Sequence, residues 1–151
     1  MAPRKLPNDA LLTEILQKVS SAKTKAEKVD LLREYNNDGL RAILIVNFDE
    51  SLECLLPEGD VPYTPNDAPA GTEHTRMTQE YRGLYRFFKG GDASITRMKR
   101  EQLYLQLLEG LHKDEAEMLV LACNKKLQDK YRITQNVVAE AFPQIEWGNR
   151  G

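Results

Sequence analysis

The chain has 151 residues, of which 41% are hydrophobic and 29% charged, and it carries a net charge of −2 at pH 7. These values are typical of one globular domain, here residues 1–151, which is large enough to fold without disulfides or metal ions. The sequence also excludes a membrane-spanning chain, because no apolar run in it approaches the roughly 18 residues that a span requires.

The N-terminus and the cysteines both indicate the cytoplasm. The opening Met-Ala-Pro-Arg-Lys is not followed by the apolar core of a signal peptide. Cys54 and Cys123 lie among apolar neighbours, with no partners at ligand spacing, which favours buried free thiols over a disulfide or a metal site. We therefore expect a cytoplasmic protein.

The first predicted helix begins after Asn8 or Asp9 and runs to about Ala22. Apolar residues recur along it at i, i+3, i+4 and i+7, the spacing of a single helix face. The residues of this face are Leu12, Ile15, Leu16 and Val19. The helix therefore has one side for the core and one for solvent.

Two more helices follow in the first third of the chain. Thr24 and Glu27 have the spacing of a capping box, in which each side chain accepts from a backbone N–H of the first turn. This second helix ends near Tyr35. Residues 36–39, Asn-Asn-Asp-Gly, break the chain and cap a third helix, whose inward residues are Leu40, Ile43, Leu44 and Phe48.

Residues 57–73 are predicted to form a long acidic loop, preceded by a short turn of helix over residues 52–56. Four prolines and two glycines exclude a helix within the loop. Residues 47–73 hold seven acidic residues and no lysine or arginine, whereas residues 74–100 hold seven basic residues and two acidic ones. This asymmetry points to an oriented partner more than the net charge does.

A fourth helix is predicted from about Thr75 to the glycine pair Gly90-Gly91, which stops it. Its apolar face consists of Met77, Tyr81, Leu84, Tyr85 and Phe88. A basic stripe beside that face consists of Arg82, Arg86 and Lys89. The stripe has two open roles, since it can pair with the acidic loop or face a partner.

Three further helices complete the chain. Ser94 or Thr96 opens the fifth, the sixth begins near Lys113, and Thr134 caps the last. Pro143 ends that helix, and residues 144–151 form a loose tail. The predicted fold is all-α: a compact bundle of about seven short helices with one Pro-rich acidic loop.

The sequence holds no recognisable catalytic motif, so we predict that the protein is not an enzyme and binds no cofactor or metal. His74 and His112 each lack a second ligand at i+4. No serine, cysteine or lysine nucleophile has a histidine base within an identifiable motif. Asp114 and Glu115 are predicted to lie on an exposed helix start, where acids interact favourably with the helix dipole.

Two segments resemble the amino-terminal DNA-binding domain of ATP-dependent DNA ligases. That domain opens with a helix, a Lys-rich turn, a second helix with a lysine ahead of a Leu-Leu pair, and a third helix that begins Asn-Asp-x-Leu. The same order occurs here in residues 10–16, 24–32 and 37–41. Residues 119–127 and 133–143 resemble the last two helices of the domain, and the loop between those helices lies against DNA in the family. The chain is also similar to small proteins of tailed phages that infect marine bacteria.

Two departures from the ligase pattern restrict what the resemblance implies. The catalytic lysine motif, Lys-x-Asp-Gly, is absent, which excludes ligation even where the fold is shared. The family's glycine is missing from residues 128–132, which removes the residue that permits the closest backbone approach to DNA.

The resemblance implies a non-catalytic accessory protein that binds duplex DNA without reading its sequence, encoded by a phage and acting in the host cytoplasm. Such binding requires lysines, arginines and backbone N–H groups that face one way. The candidates are Lys23, Lys25, Arg97, Lys99, Arg100, Lys125, Lys126, Lys130, Arg132 and Thr134. The group between residues 125 and 134 corresponds to the family's DNA-contacting loop.

Other interpretations stay open. Each candidate lysine or arginine also suits a solvated face or a helix C-terminus, and the sequence pI of about 5.8 does not favour strong stand-alone DNA binding. A protein-binding adaptor would present the acidic loop or the tail to a partner, with Trp147 as its anchor if that side chain is exposed. A virion structural component is the third alternative.

Overall fold

Helices make up most of what the computed structural model describes, which is residues 11–49, 51–56, 77–88, 94–145 and 147. This part of the chain is all-α, as predicted, and contains eight α-helices and one 3-10 helix, Tyr81–Phe87. The predicted loop over residues 57–73 lies outside it. The α-helices are α1 (Leu12–Ser20), α2 (Lys25–Glu34), α3 (Asp38–Phe48), α4 (Met77–Glu80), α5 (Arg97–Gly110), α6 (Lys113–Cys123), α7 (Leu127–Lys130) and α8 (Gln135–Ala141).

Polar side chains begin four of these helices where the sequence predicted caps. The N-cap residues of α2, α3, α5 and α8 each accept a hydrogen bond from the backbone N–H three residues further on. These residues are Thr24, Asn37, Thr96 and Thr134. The predicted capping box of α2 differs in one bond, because Glu27 accepts from the N–H of Lys23 and not from that of Thr24.

Helix α1 begins later than predicted. Its first residue is Leu12, and Glu14 reaches back to accept from the N–H of Leu11 at 3.0 Å. Asn8 and Asp9, the predicted caps, lie outside the described residues. A glutamate at the third helical position therefore takes over part of the capping that the sequence assigned to an upstream side chain.

Glu115, on the first turn of α6, is fully buried and joins three helices. Its Oε2 accepts from the N–H of Leu12 and its Oε1 from the N–H of Met77, each at 3.1 Å. N–H groups at helix starts have no partner within their own helix, so this carboxyl group satisfies both. The prediction of an exposed acid at this position is wrong, because the ends of α1 and α4 cover it.

The predicted fourth helix is one turn of α-helix followed by the 3-10 helix. A 3-10 helix repeats every three residues, so Tyr81, Leu84 and Phe87 share a face. Accordingly Phe87 is 0% exposed, whereas Tyr85, which an α-helix would have placed inward, is 54% exposed. The predicted apolar face is therefore wrong at Tyr85, and its proposed upstream start at Thr75 lies outside the described residues.

Residues 51–56 do not form the predicted turn of helix. Cys54 forms an isolated antiparallel bridge with Phe88, and the N–H of Leu55 donates to the carbonyl of Phe87 at 2.9 Å. This segment is extended because it pairs with the end of the 3-10 helix, a contact between residues distant in sequence.

Helix α6 is central in the described bundle, where it packs against α1, α3 and α5. Helix α2 packs against α1 and α8 on one side of the bundle. Ile145 and Trp147 pack against the core, so the predicted loose tail is wrong as far as Trp147. None of the described helices combines the length and the apolar composition needed to cross a membrane.

Candidate nucleic-acid interface

The predicted DNA-binding residues divide into those that the fold uses internally and those that it leaves on the surface. Arg100 belongs to the first group. It is only 9% exposed, and its guanidinium donates to the carbonyl of Arg86 at 2.9 Å and to that of Ile95 at 3.3 Å. Arg100 therefore fastens α5 to the segments before it, and its assignment to a DNA-binding surface is not supported.

Lys125 is also structural. Its backbone has φ 59°. The N–H of Lys125 donates to the carbonyl of Ala122, and the N–H of Lys126 donates to that of Leu121, which closes α6 in a Schellman motif. Its ammonium group donates to the carbonyls of Val46 and Asp49 at 2.9 and 2.8 Å. The cation thus caps the C-terminus of α3, where helix carbonyls lack partners.

Three other predicted cations are exposed. Arg97 pairs with Glu101 on its own helix at 3.2 Å, and Lys130 pairs with Glu117 at 2.8 Å. Lys99 is exposed on the first turn of α5. Their helix, α5, packs mainly against α6 and the 3-10 helix in the described part of the chain, rather than against α2.

The connector before α8, residues 131–134, lies against the last residue of α1 and against α2, in a region that holds several of the remaining cations. The N–H of Arg132 donates to Ser20 Oγ at 3.0 Å, and its carbonyl accepts from Lys28 Nζ at 2.5 Å. Lys25 forms an ion pair with Glu140 of α8 at 3.3 Å. We call Lys23, Lys25, Lys28 and Arg132 the basic edge.

Arg33 connects α2, which carries two residues of the basic edge, to α8. Its guanidinium donates to the carbonyls of Glu140 and Ala141 at 2.8 and 3.3 Å, which are the last carbonyls of α8. These bonds join the end of α2 to the end of α8, and the two helices pack against each other. Lys25 on α2 and Arg132 in the connector before α8 consequently have a defined mutual position.

A groove of about 620 Å³ lies beside the basic edge, between α1 and α2. Its lining includes the cations Lys18 and Lys23 and the acids Glu27 and Asp30. Glu27 is already engaged by the N–H of Lys23. The acids offset part of the positive charge, so the edge is only moderately basic.

Lys126 and Thr134 are the last two predicted residues. Lys126 is exposed just before α7, and Thr134 Oγ1 accepts from the N–H of Val137 at 3.4 Å as the cap of α8. Helix α8 has only seven residues, so its start is a weak anion site at most. Lys28 was not among the predicted DNA-binding residues, although its spacing of three residues from Lys25 on α2 indicates that both lie on one side of the helix.

His112 and Trp147 both have structural roles in the described part of the chain. His112 caps α6, where its Nδ1 accepts from the N–H of Asp114 at 3.1 Å, and His74 lies outside the described residues. Within the described ranges, no group of three His, Cys, Asp or Glu side chains is arranged to hold a metal ion. Trp147 is half-buried and packed on the core, so of the two roles left open for it the structure favours that of a packing residue.

The two cysteines were predicted to be buried free thiols, and neither forms a disulfide, although burial is only partial. Both are half-buried, and their thiols are hydrogen-bonded to each other. Residue spacing could not reveal this, because Cys54 and Cys123 belong to segments far apart along the chain.

Residues 15–129 match the model of a family of unknown function, DUF6433, and the chain belongs to that family. No curated protein and no solved structure matches this chain. The match includes the lysines of α2 but ends before Arg132 and α8. The family's description assigns no activity, so a function has to be argued from the geometry.

Proposed function

We propose that this protein is a non-catalytic accessory protein that binds duplex DNA without reading its sequence. The observation that carries the proposal is the contact of the connector before α8 with the last residue of α1 and with α2, through the N–H and the carbonyl of Arg132. The connector corresponds to the loop that contacts DNA in the ligase family, and Lys23 and Lys25, at the start of α2, are the other predicted cations nearby. The same proposal places the protein in the cytoplasm, where it would meet DNA.

The chemistry of the basic edge suits phosphate groups. Lys23 and Arg132 are exposed, and the guanidinium of Arg132 offers a planar set of donors that matches phosphate oxygens. Lys28 is directed to the carbonyl of Arg132, so it holds the connector while Arg132 projects outward. One cation therefore positions another.

The ion pair between Lys25 and Glu140 does not prevent this use. Both side chains are more than half exposed, at 57% and 56%, and exposed pairs contribute little to stability. Phosphate can therefore compete with Glu140 for Lys25 at low cost. The acids of the neighbouring groove keep the affinity modest and sensitive to salt.

The proposal can be tested by fluorescence anisotropy with a labelled duplex of arbitrary sequence. If Lys23, Lys25 and Arg132 each neutralise one phosphate, the affinity should fall about 40-fold between about 50 and about 200 mM salt. A second, unrelated sequence should bind equally well. Absence of binding at the lower salt would refute the proposal.

Two variants with the same change of net charge locate the surface. Lys23→Glu with Arg132→Glu alters the basic edge, and Arg97→Glu with Lys99→Glu alters the start of α5. We expect at least about a tenfold loss of affinity for the first and less than about threefold for the second, since long-range charge effects are shared. Equal losses would mean that the basic edge is not the contact surface. Circular dichroism would check that both variants stay folded.

The adaptor function is not favoured by the described residues. Its anchor, Trp147, is packed on the core, and its acidic loop over residues 57–73 lies outside them. It therefore stays a prediction from the sequence, as does the virion component.

A further inference from the structure

Cys54 and Cys123 are brought together by two features of the fold. Cys54 lies in the extended segment that bridges to Phe88, and Cys123 is the last residue of α6. Their side chains are hydrogen-bonded to each other, and neither takes part in the basic edge. The pair is therefore a separate cluster of two nucleophilic groups.

Several polar contacts hold the two segments in place. Lys125, two residues after Cys123, donates to the carbonyls of Val46 and Asp49 at the end of α3. Asn47 accepts from the N–H of Leu127 at 2.9 Å. The end of α3, which leads into the segment of Cys54, is thus fastened to the end of α6, and the thiol contact follows from this docking.

The surroundings of the two thiols differ, and the difference gives them unequal acidity. The hydrogen bond from Cys123 lowers the pKa of Cys54 from 9.0 to about 7, against the effect of burial and with help from the N–H of Leu56 and the charge of Lys125. The pKa of Cys123 is raised, first by that hydrogen bond to Cys54 and then by burial, although a hydrogen bond with Tyr104 opposes the rise. Of the pair, Cys54 is the thiol that ionises near neutral pH.

We propose that Cys54 and Cys123 form a redox-active dithiol, in which a hydroperoxide oxidises Cys54 and Cys123 then closes an intramolecular disulfide. Cys54, which reacts with the oxidant, is half-buried and leaves room for a small molecule, and Cys123 attacks Cys54 from within the fold. This proposal is independent of DNA binding, because its residues and its chemistry are different.

The reaction balances in two steps. The Cys54 thiolate attacks one oxygen of hydrogen peroxide, the O–O bond breaks, and protonation of the departing hydroxide gives water and a sulfenic acid at Cys54. The Cys123 sulfur then attacks the Cys54 sulfur, the S–O bond breaks, and the thiol proton leaves with hydroxide as a second water. The two sulfurs lose two electrons in total, and one peroxide becomes two waters.

The first test uses the reduced full-length chain with hydrogen peroxide at equal concentration. We expect both thiols to be lost together, with a monomeric product and a single cross-linked peptide that contains Cys54 and Cys123. Because the new bond closes a loop of roughly 70 residues, the melting temperature should rise by about 10 °C and return to its original value with dithiothreitol. Thiols that persist in excess peroxide, or a dimer linked between chains, would overturn the proposal.

The order of the two steps is tested with single variants. Cys123→Ser should stop the reaction at a Cys54 sulfenic acid that dimedone traps, whereas Cys54→Ser should leave Cys123 at least about tenfold less reactive. Trapping of Cys123 at a comparable rate would contradict the assignment of Cys54 as the attacking thiol. Circular dichroism and melting curves establish whether each variant is folded.

A matched pair of variants isolates the hydrogen bond. Cys123→Ser retains a donor beside Cys54, and Cys123→Ala does not. The pH at which Cys54 reaches half its maximal alkylation rate should stay near 7 with serine and move toward 9.0 with alanine. An unchanged midpoint in the alanine variant would mean that Cys123 does not activate Cys54. This measurement uses alkylation, so it stands even where a variant no longer forms the disulfide.

Discussion

Charged residues form hydrogen bonds between side chain and backbone in two regions of the bundle, one buried and one at the surface. In the buried node, defined by Glu115 with the N–H groups of Leu12 and Met77, the carboxyl group is fully enclosed. At the basic edge, Lys28 and Arg132 make similar side-chain-to-backbone bonds at the surface. An unsatisfied polar group is costly only where water cannot replace its partner. The node should therefore govern stability, whereas the edge has charge available for a ligand.

The largest effect is expected from breaking the node. Glu115→Ala leaves two buried N–H groups without an acceptor and should lower the free energy of unfolding by about 3–5 kcal/mol, measured by urea denaturation. Glu117→Ala, on the same helix, removes only the exposed ion pair with Lys130 and should cost less than about 1 kcal/mol. Similar losses in both variants would contradict the comparison.

A second test compares neighbours that were both predicted to bind DNA. Arg100→Met should lower the free energy of unfolding by about 2–4 kcal/mol, because the carbonyls of Arg86 and Ile95 lose a charged donor. Lys99→Met, one position earlier and exposed, should change it by no more than about 0.5 kcal/mol. If Lys99 proved as important for stability as Arg100, burial would not be what separates structural cations from available ones.

The connector itself offers a pH test, since Tyr131 is 2% exposed whereas Arg132 is exposed. Burial, followed by the charges of Glu117 and Asp114, raises the pKa of Tyr131 from 10.0 to about 12. A raised pKa stabilises the folded state fully below pH 10, and this contribution is lost as the pH rises through 12. The free energy of unfolding should therefore fall by about 2 kcal/mol more in the wild type than in Tyr131→Phe over that interval. Parallel pH profiles would show that Tyr131 titrates normally, and tyrosinate absorbance provides an independent check.

The smallest effect on stability is expected at the exposed pair of Lys25 and Glu140. Lys25→Gln should change the free energy of unfolding by less than about 0.5 kcal/mol. If the basic edge contacts DNA as proposed, the same change should reduce the slope of log affinity against log salt by about 0.9. A large loss of stability would show that Lys25 matters for folding as Glu115 does. An unchanged slope would show that Lys25 does not contact DNA.

The helix caps were predictable because they depend on a few consecutive residues. Thr24, Asn37, Thr96 and Thr134 begin helices where the sequence indicated, since a short polar side chain satisfies an N–H three residues away. The 3-10 helix was not predictable from the same patterns. Met77, Leu84 and Phe88 fit an α-helical face, and only the burial of Phe87 against Tyr104 distinguishes the tighter repeat.

The candidate site was predictable in part. Lysines beside a helix start and an arginine in the connector could be proposed from the sequence, but Arg100 and Lys125 look the same there as Lys23 and Arg132. What separates them is which backbone carbonyls lie within reach after the helices pack. Sequence spacing carries no information on such long-range partners.

By itself, then, the sequence determined the all-α class and most of the helix starts, because apolar periodicity and caps act over one or two turns. Only the tertiary structure decided which charges are enclosed, that Cys54 meets Cys123, and that the connector lies against the end of α1 and against α2. The physical reason is that burial and electrostatic interactions depend on distance in space, and packing brings together residues that are far apart along the chain.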